Sequence, residues 1–251
     1  MFRYRRGVSR VVVVASLLFG VLANGSMARS DELRPEDAPS LAMDKKAEEP
    51  VVYFDQEIVD RVRTLLSQAG LEYPLRKAFS LLIFKEERLM ELWVEDDTGP
   101  RLIKSYPILG MSGHAGPKRR RGDLQVPEGI YQITLLNAHS SYHLSLKLDY
   151  PNLFDLQKAT EEGRTDLGGD IYIHGGSSSV GCIAMGNPAV EELYVLTLTA
   201  GTGPREVIIA PYDFRQQPDK GTPGADPVWL PELYQEMTGR LGRYSVSAAE
   251  H

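Results

Sequence analysis

The spacing of apolar positions predicts one helix, a series of strands, a second helix and a closing strand, with polar stretches at both ends. Ile58, Val59, Val62, Leu65 and Leu66 recur at helical intervals and predict a helix over residues 54–69, lying on the outside of the domain. Residues 78–84 and 89–94 are β-prone runs on either side of polar Lys85-Glu86-Glu87-Arg88, the form of a β-hairpin. The second run ends in the turn signal Asp96-Asp97-Thr98-Gly99-Pro100, and residues 102–109 give a third strand. After the Pro127-Glu128-Gly129 turn come a strand over 130–136, a short buried strand at Ile171-Tyr172-Ile173, and a last strand over 205–210 around Val207-Ile208-Ile209. Asn187 and Pro188 read as N-cap and first residue of a helix to about Thr199, with Val190, Leu193, Tyr194 and Leu198 on one face. Residues 155–169 predict a loop or short helix bordering a cleft, and residues 230–241 a short amphipathic helix to which no role is assigned. The fold class is mainly β, with peripheral helices.

The ends change the picture. Residues 1–28 carry Arg3, Arg5, Arg6 and Arg10 but no acid, then an apolar run over 11–23 and small residues at Ser26-Met27-Ala28. That is the form of a secretory leader cut near Ala28. The apolar run is shorter than the ~20 residues of a spanning helix, so no stable membrane span is expected after cleavage. No cysteine follows it, which excludes lipoprotein processing. Residues 29–50, rich in Asp, Glu, Lys, Pro and Ala, read as a linker. Removing the leader takes four arginines and no acids from a net charge of −6, leaving −10. Such a chain repels nucleic acid, and nothing in it reads as a nucleic-acid module. A single cysteine forms no internal disulfide, and in an oxidising compartment an unpaired thiol points to retained reactivity.

That cysteine, Cys182, lies in Ile171-Tyr172-Ile173-His174-Gly175-Gly176-Ser177-Ser178-Ser179-Val180-Gly181-Cys182-Ile183-Ala184-Met185. An ordinary thiol, with a pKa of about 8.5, is mostly protonated at neutral pH, so a nucleophilic one needs a base or a cation beside it. His174, at a rigid strand end, can serve. Gly175, Gly176 and Gly181 allow positive φ angles and close approach of backbone N–H groups, so the Gly181 and Cys182 N–H groups are candidates for an oxyanion hole. The bland alternative is a buried cysteine packed as a small hydrophobe and a histidine that merely ends a strand. The joint pattern favours chemistry.

The stretch resembles the signature of the YkuD-type L,D-transpeptidase family, a His-Gly strand end followed by a Ser-His-Gly-Cys-x-Arg loop. Ile173-His174-Gly175 matches the first part; Ser179, Gly181 and Cys182 match the second. Val126-Pro127-Glu128-Gly129-Ile130-Tyr131-Gln132-Ile133 is similar to the family's Thr-Pro-x-Gly-x-Phe-x-Ile turn and strand, and Tyr106-Pro107-Ile108 with Ser112-Gly113 to the strand before it. The resemblance covers about residues 79–211. Val180 stands where most members carry a second histidine, Ala184 where they carry arginine, and the His174-to-Cys182 spacing is short. With Tyr106-Pro107, Gly116-Pro117-Lys118, Ser141-Tyr142 and Tyr150-Pro151-Asn152, these features resemble a YafK-like branch of Gram-negative periplasmic proteins. Some members of that branch are hydrolases that cut meso-diaminopimelate bonds.

The resemblance implies an L,D-transpeptidase-type β-sandwich with peripheral helices. The organisation expected is a leader (1–28), a linker (29–50), a helical extension (51–78), a catalytic domain (79–212) and a tail with a short helix (213–251). It implies a periplasmic enzyme whose Cys182 thiolate, activated by His174, forms an acyl-thioester at a meso-diaminopimelate residue of a peptidoglycan stem peptide. An acceptor amine would make it a transpeptidase, and water a hydrolase; a peptidoglycan-linked lipoprotein is a further candidate partner. A module that binds cell wall without catalysis is the alternative of another class, favoured by Val180 and Ala184. Gly175 or Ser179 is expected to orient the imidazole, and Tyr142, with Ser141, to contact substrate. Gly116-Pro117-Lys118-Arg119-Arg120-Arg121-Gly122 is a basic loop in an acidic protein. It reads first as a solvated turn and second as a patch for substrate carboxylates, with Lys118 and the arginines, Arg119 foremost, as binding candidates. His139, His143 and His114 lack an acid at ligand spacing, so no metal site is expected, and the mechanism requires no metal or organic cofactor.

Overall fold

A computed structural model describes residues 10–13, 52–201, 203–218, 220 and 227–245. Most of the predicted leader and all of the linker lie outside the described residues. Within the leader segment, β1 (Arg10–Val13) pairs antiparallel with β2 (Val52–Asp55). The remaining strands are β3 (Phe79–Phe84), β4 (Leu89–Asp96), β5 (Gly99–Pro107), β6 (Gly129–Ser140), β7 (His143–Leu148), β8 (Tyr172–His174), β9 (Ile183–Ala184) and β10 (Arg205–Ala210). They form one mixed sheet in the order β5-β4-β3-β10-β6-β7-β8-β9.

The runs Leu81-Leu82-Ile83-Phe84 and Val207-Ile208-Ile209-Ala210 lack polar alternation because both faces of the sheet centre are covered. Leu81, Ile83, Val207 and Ile209 join one core; Leu82, Phe84, Ile208 and Ala210 join another. β10 pairs parallel with β3 and antiparallel with the first residues of β6. Beyond Ile133, β6 pairs instead with β7, with register irregularities on the way. One long strand thus serves two halves of the sheet, whose inner faces share the first core: Leu146, Leu148, Ile173 and Ile183 lie there beside Leu81, Met90 and Leu92. The result is mainly β and sandwich-like.

Helix α1 (Gln56–Gln68) buries Val59, Val62 and Leu66 against α3 (Asn187–Thr199), where the Phe54 and Tyr194 rings meet at 5.7 Å. Helix α2 (Leu153–Glu161) begins with a reciprocal capping box between Asn152 and Asp155. Helix α4 (Leu230–Leu241), given no role by the sequence, closes the second face of the sheet with Leu230, Leu233, Tyr234, Met237 and Leu241.

Two local expectations are corrected, and one turn residue has an environment that the sequence does not announce. Gly99 and Pro100 lie in β5 rather than in the turn, because Asp96 Oδ1 accepts the Thr98 N–H (2.9 Å) and hydroxyl (2.6 Å) and closes the connection at Asp97-Thr98. The N-cap of α3 is Gly186, since the Asn187 side chain accepts the Gly176 N–H at 3.0 Å instead of capping its own helix. Lys85, in the β3–β4 turn, is buried. It is 4 % exposed, and its ammonium reaches Glu128 Oε1 (2.9 Å) and the carbonyls of Gly116 (2.9 Å) and Val126 (3.0 Å). Glu128 Oε1 also accepts the Gly116 N–H (2.7 Å), and Oε2 the Tyr234 hydroxyl (2.6 Å). This buried cluster ties the β3–β4 turn, both ends of the basic loop and α4 together.

Candidate active site

β8 and β9 run parallel, Ile173 beside Ile183 and His174 beside Ala184. Strand alternation sends Ile173 and Ile183 into the core, so Tyr172, His174, Cys182 and Ala184 share the other face. Parallel neighbours are ordinarily joined by a crossover of about a dozen residues or more; here residues 175–182 suffice, with Gly176 (φ 72°) and Gly181 (φ 83°) in the left-handed region. The loop is pinned where the Gly175 N–H donates to the Leu144 carbonyl (3.2 Å) and the Gly186 N–H to the Gly176 carbonyl (2.8 Å). Gly110 lies so close beneath it that an added Cβ would fall 2.2 Å from the Ser177 carbonyl oxygen.

His174 is buried. Its Nδ1 lies 2.7 Å from the Gly175 carbonyl oxygen, and since a carbonyl only accepts, Nδ1 carries a proton and Nε2 is the ring nitrogen left for base chemistry. The Tyr142 ring covers the imidazole at 4.6 Å between centroids and 33°. Tyr142 lies in the β6–β7 turn next to His143, whose backbone has a φ of 77° and whose Nε2 is 2.7 Å from Glu191 Oε1. Glu191 is also paired to Arg61, so a polar chain links α1 to the residue next to Tyr142.

The Cys182 sulfur is half-buried and makes its hydrogen bonds to backbone: it accepts the Tyr172 N–H (3.4 Å) and donates to the Asp170 carbonyl (3.5 Å). The imidazole and the sulfur, diagonal neighbours on one face, share no hydrogen bond in this state. Burial pushes the thiol pKa up, and the Asp170 charge adds to this; the Tyr172 N–H and the Lys118 ammonium oppose it.

Both N–H groups expected to form an oxyanion hole are occupied by hydroxyls. The Gly181 N–H donates to Ser112 Oγ (2.7 Å) and the Cys182 N–H to Ser179 Oγ (3.1 Å). Ser179 thus sits on the nucleophile's own amide rather than on the imidazole. The Ser112 hydroxyl in turn donates to the Leu124 carbonyl (2.7 Å), joining the nucleophile loop to the segment that follows the basic loop. Ser141 is exposed in the β6–β7 turn beside Tyr142. Lys118 is buried and bound to Asp123 (2.6 Å) and the Arg120 carbonyl (2.9 Å), and Arg119 reaches Glu162 (2.8 Å). Neither is the solvated cation that the sequence suggests, because Asp123 and Glu162 fold the loop back on itself. No group of three or more His, Cys, Asp or Glu residues suited to a metal occurs among the described residues.

Sequence reasoning missed Ser112, Asp170 and Tyr172 as neighbours of the nucleophile. Two of these contacts are made by backbone atoms and the third comes from 69 residues away, so no local pattern signals them.

Residues 79–223 match the model of the YkuD family, the L,D-transpeptidase catalytic domain. Among curated proteins, YafK of Escherichia coli K12 is 35 % identical over 136 residues, covering 53 % of each chain. The chain therefore spans about half the length of the curated relatives it matches. Among solved structures, the helical cell shape determining protein Pgp2 of Campylobacter jejuni is 23 % identical, with a TM-score of 0.44 over 60 % of this chain and 55 % of that one. Bd1075 of Bdellovibrio bacteriovorus is 19 % identical, with a TM-score of 0.39 over 67 % and 56 %.

Proposed function

We propose, from the premise that this chain belongs to the L,D-transpeptidase catalytic-domain family, that it is a periplasmic cysteine enzyme acting on peptidoglycan stem peptides. The observation that carries the reading is the Nδ1 bond of His174 to the Gly175 carbonyl, which leaves Nε2 as a base on the sheet face that also bears Cys182. Export follows from a leader cut near Ala28, ahead of a linker and the domain that starts near residue 79.

In the proposed reaction, the carbonyl of a meso-diaminopimelate residue draws the sulfur away from Asp170, and Nε2 of His174 takes the thiol proton. The thiolate attacks, forming a carbon–sulfur bond, and the carbonyl π electrons move to oxygen. The Gly181 and Cys182 N–H groups turn from the Ser112 and Ser179 hydroxyls to this oxyanion. Collapse re-forms the carbonyl and breaks the carbon–nitrogen bond; His174 returns its proton to the leaving amine. An amine acceptor then resolves the thioester by transpeptidation, or water resolves it by hydrolysis.

The second reading is a cell-wall binding module without catalysis. It is favoured by a thiol whose pKa is raised and whose hydrogen bonds go to backbone. Mass spectrometry of the reduced protein with a stem tetrapeptide separates the two. The enzyme gives a Cys182 acyl adduct that Cys182→Ala and His174→Ala abolish; peptide binding with no adduct from a reduced thiol overturns the catalytic reading.

A further inference from the structure

A cavity of about 710 Å³ lies between the basic loop and the segment after α2, lined by His114, Arg120, Gln125, Arg164 and Thr165 and bounded below by Leu230 of α4. Its size lies in the range of small-ligand sites, roughly 300–1,000 Å³. Its two walls are tied to each other: the Arg121 N–H donates to the Asp166 carbonyl (3.0 Å), and Arg164 to the Arg119 carbonyl (2.7 Å).

Both walls also run to the thiol. On one side Ser112 joins the Leu124 carbonyl to the Gly181 N–H, and the Gln125 carbonyl oxygen is 3.7 Å from where a Cβ on Gly181 would be. On the other side the segment that supplies Arg164 and Thr165 continues to Asp170, whose carbonyl accepts a hydrogen bond from the thiol. Both walls of the cavity are therefore joined, by hydrogen bonds or by the chain itself, to the residues around the thiol.

Its charge is uneven in a telling way. Four consecutive cations form the loop, and three are committed: Lys118 to Asp123, Arg119 to Glu162 and Arg121 to Asp166. Arg164 shares Glu162. The Asp123 carboxylate is saturated by Lys118 and by the N–H groups of Arg119, Arg120 and Gln125. The Arg120 guanidinium, exposed and lining the cavity, has no carboxylate partner among the described residues. A planar fork of donors in a concave site suits a carboxylate held by two parallel hydrogen bonds.

We propose that Arg120 is the specificity residue of this cavity and binds a free carboxylate of the acyl-donor peptide, away from the bond that is cut. This rests on the reading of Cys182 as the nucleophile of a stem-peptide enzyme. Lys118 and Arg119, which the sequence favours for that role, instead hold the loop that presents Arg120.

The test is calorimetric titration of the Cys182→Ala chain with a stem tetrapeptide bearing free carboxylates and with its counterparts amidated one carboxylate at a time. Arg120→Gln should weaken binding of the free peptide about 10- to 100-fold and leave binding of one amidated counterpart unchanged, with Arg120→Lys between. Equal binding of all peptides, or a loss on amidation that persists in Arg120→Gln, overturns this proposal alone. No binding of any peptide to the Cys182→Ala chain overturns the stem-peptide reading with it. Arg120 is exposed and makes no side-chain hydrogen bond or ion pair among the described residues, so an unchanged melting transition in Arg120→Gln confirms that the comparison is between folded proteins.

Discussion

Replacing Lys85 by methionine keeps the side chain's length and removes its charge, which isolates the buried cluster as a stability determinant. The ammonium uses all three of its protons, on Glu128 and on the carbonyls of Gly116 and Val126. Without it, Glu128, 2 % exposed, keeps only the Gly116 N–H and the Tyr234 hydroxyl. Breaking one partner of a buried pair costs about 3–5 kcal/mol, because the other charge is left uncompensated. Burial holds the Lys85 pKa below its ordinary value despite Glu128, so desolvation outweighs attraction and the intact pair contributes little net stability. The cost of Lys85→Met should therefore fall substantially when Glu128→Gln accompanies it, with a coupling energy of at least ~2 kcal/mol in a double-mutant cycle. Urea unfolding followed by the fluorescence of Trp93, buried beside Tyr244, measures all four proteins. Single effects below ~1 kcal/mol, or effects that add within ~0.5 kcal/mol, would refute the reasoning.

Three further outcomes follow from the geometry. Asp155, buried at the start of α2, has its pKa raised by desolvation to about 7. The folded chain therefore holds a proton that the unfolded chain, with a carboxyl pKa of about 3.9, has lost. This contribution is complete below about pH 4 and disappears as pH rises through about 7, with an upper bound of ~4 kcal/mol at about 1.4 kcal/mol per unit. The urea midpoint of the wild type should fall relative to Asp155→Asn over that window, and parallel pH profiles would contradict this. Iodoacetamide should alkylate Cys182 slowly at neutral pH, at a rate still climbing above the ordinary thiol range, and faster in Asp170→Asn; a plateau near neutrality would show a thiolate–imidazolium pair already formed at rest. Gly110→Ala should abolish Cys182 acylation at a stability cost of about 1–3 kcal/mol, since its methyl would meet the Ser177 carbonyl and displace the nucleophile loop; wild-type acylation measured by mass spectrometry would refute that.

What the sequence revealed and what it hid have physical reasons. The β3 and β10 runs were legible because a strand buried on both faces has no polar alternation to confuse it with a surface helix. Cys182 and His174 stood out because the thiol is unique in the chain and glycines crowd it. The burial of Lys85 was hidden because charged residues between two strands normally mark a solvated turn; its partner Glu128 is 43 positions away. The basic loop misled in the same way. Which cation faces solvent depends on where Asp123, Glu162 and Asp166 fall in space, and only Asp123 is local. The capacity of α4 to cover the sheet was hidden because amphipathic spacing says that a helix has a partner, not which one.

The passage of β6 through both halves of the sheet has a consequence for variation in this chain. Among the described residues, the strands that carry the imidazole and the sulfur reach β10 in the ladder only through β6 and β7, with a single further bridge from β9 to Gly110. An inserted or deleted residue near Ile133, remote from any reacting atom, would invert the inward and outward positions of everything downstream in that strand. Length changes should accordingly be confined to the connections on either side of it, which leaves this strand as the fixed gauge against which the edge bearing the nucleophile is set.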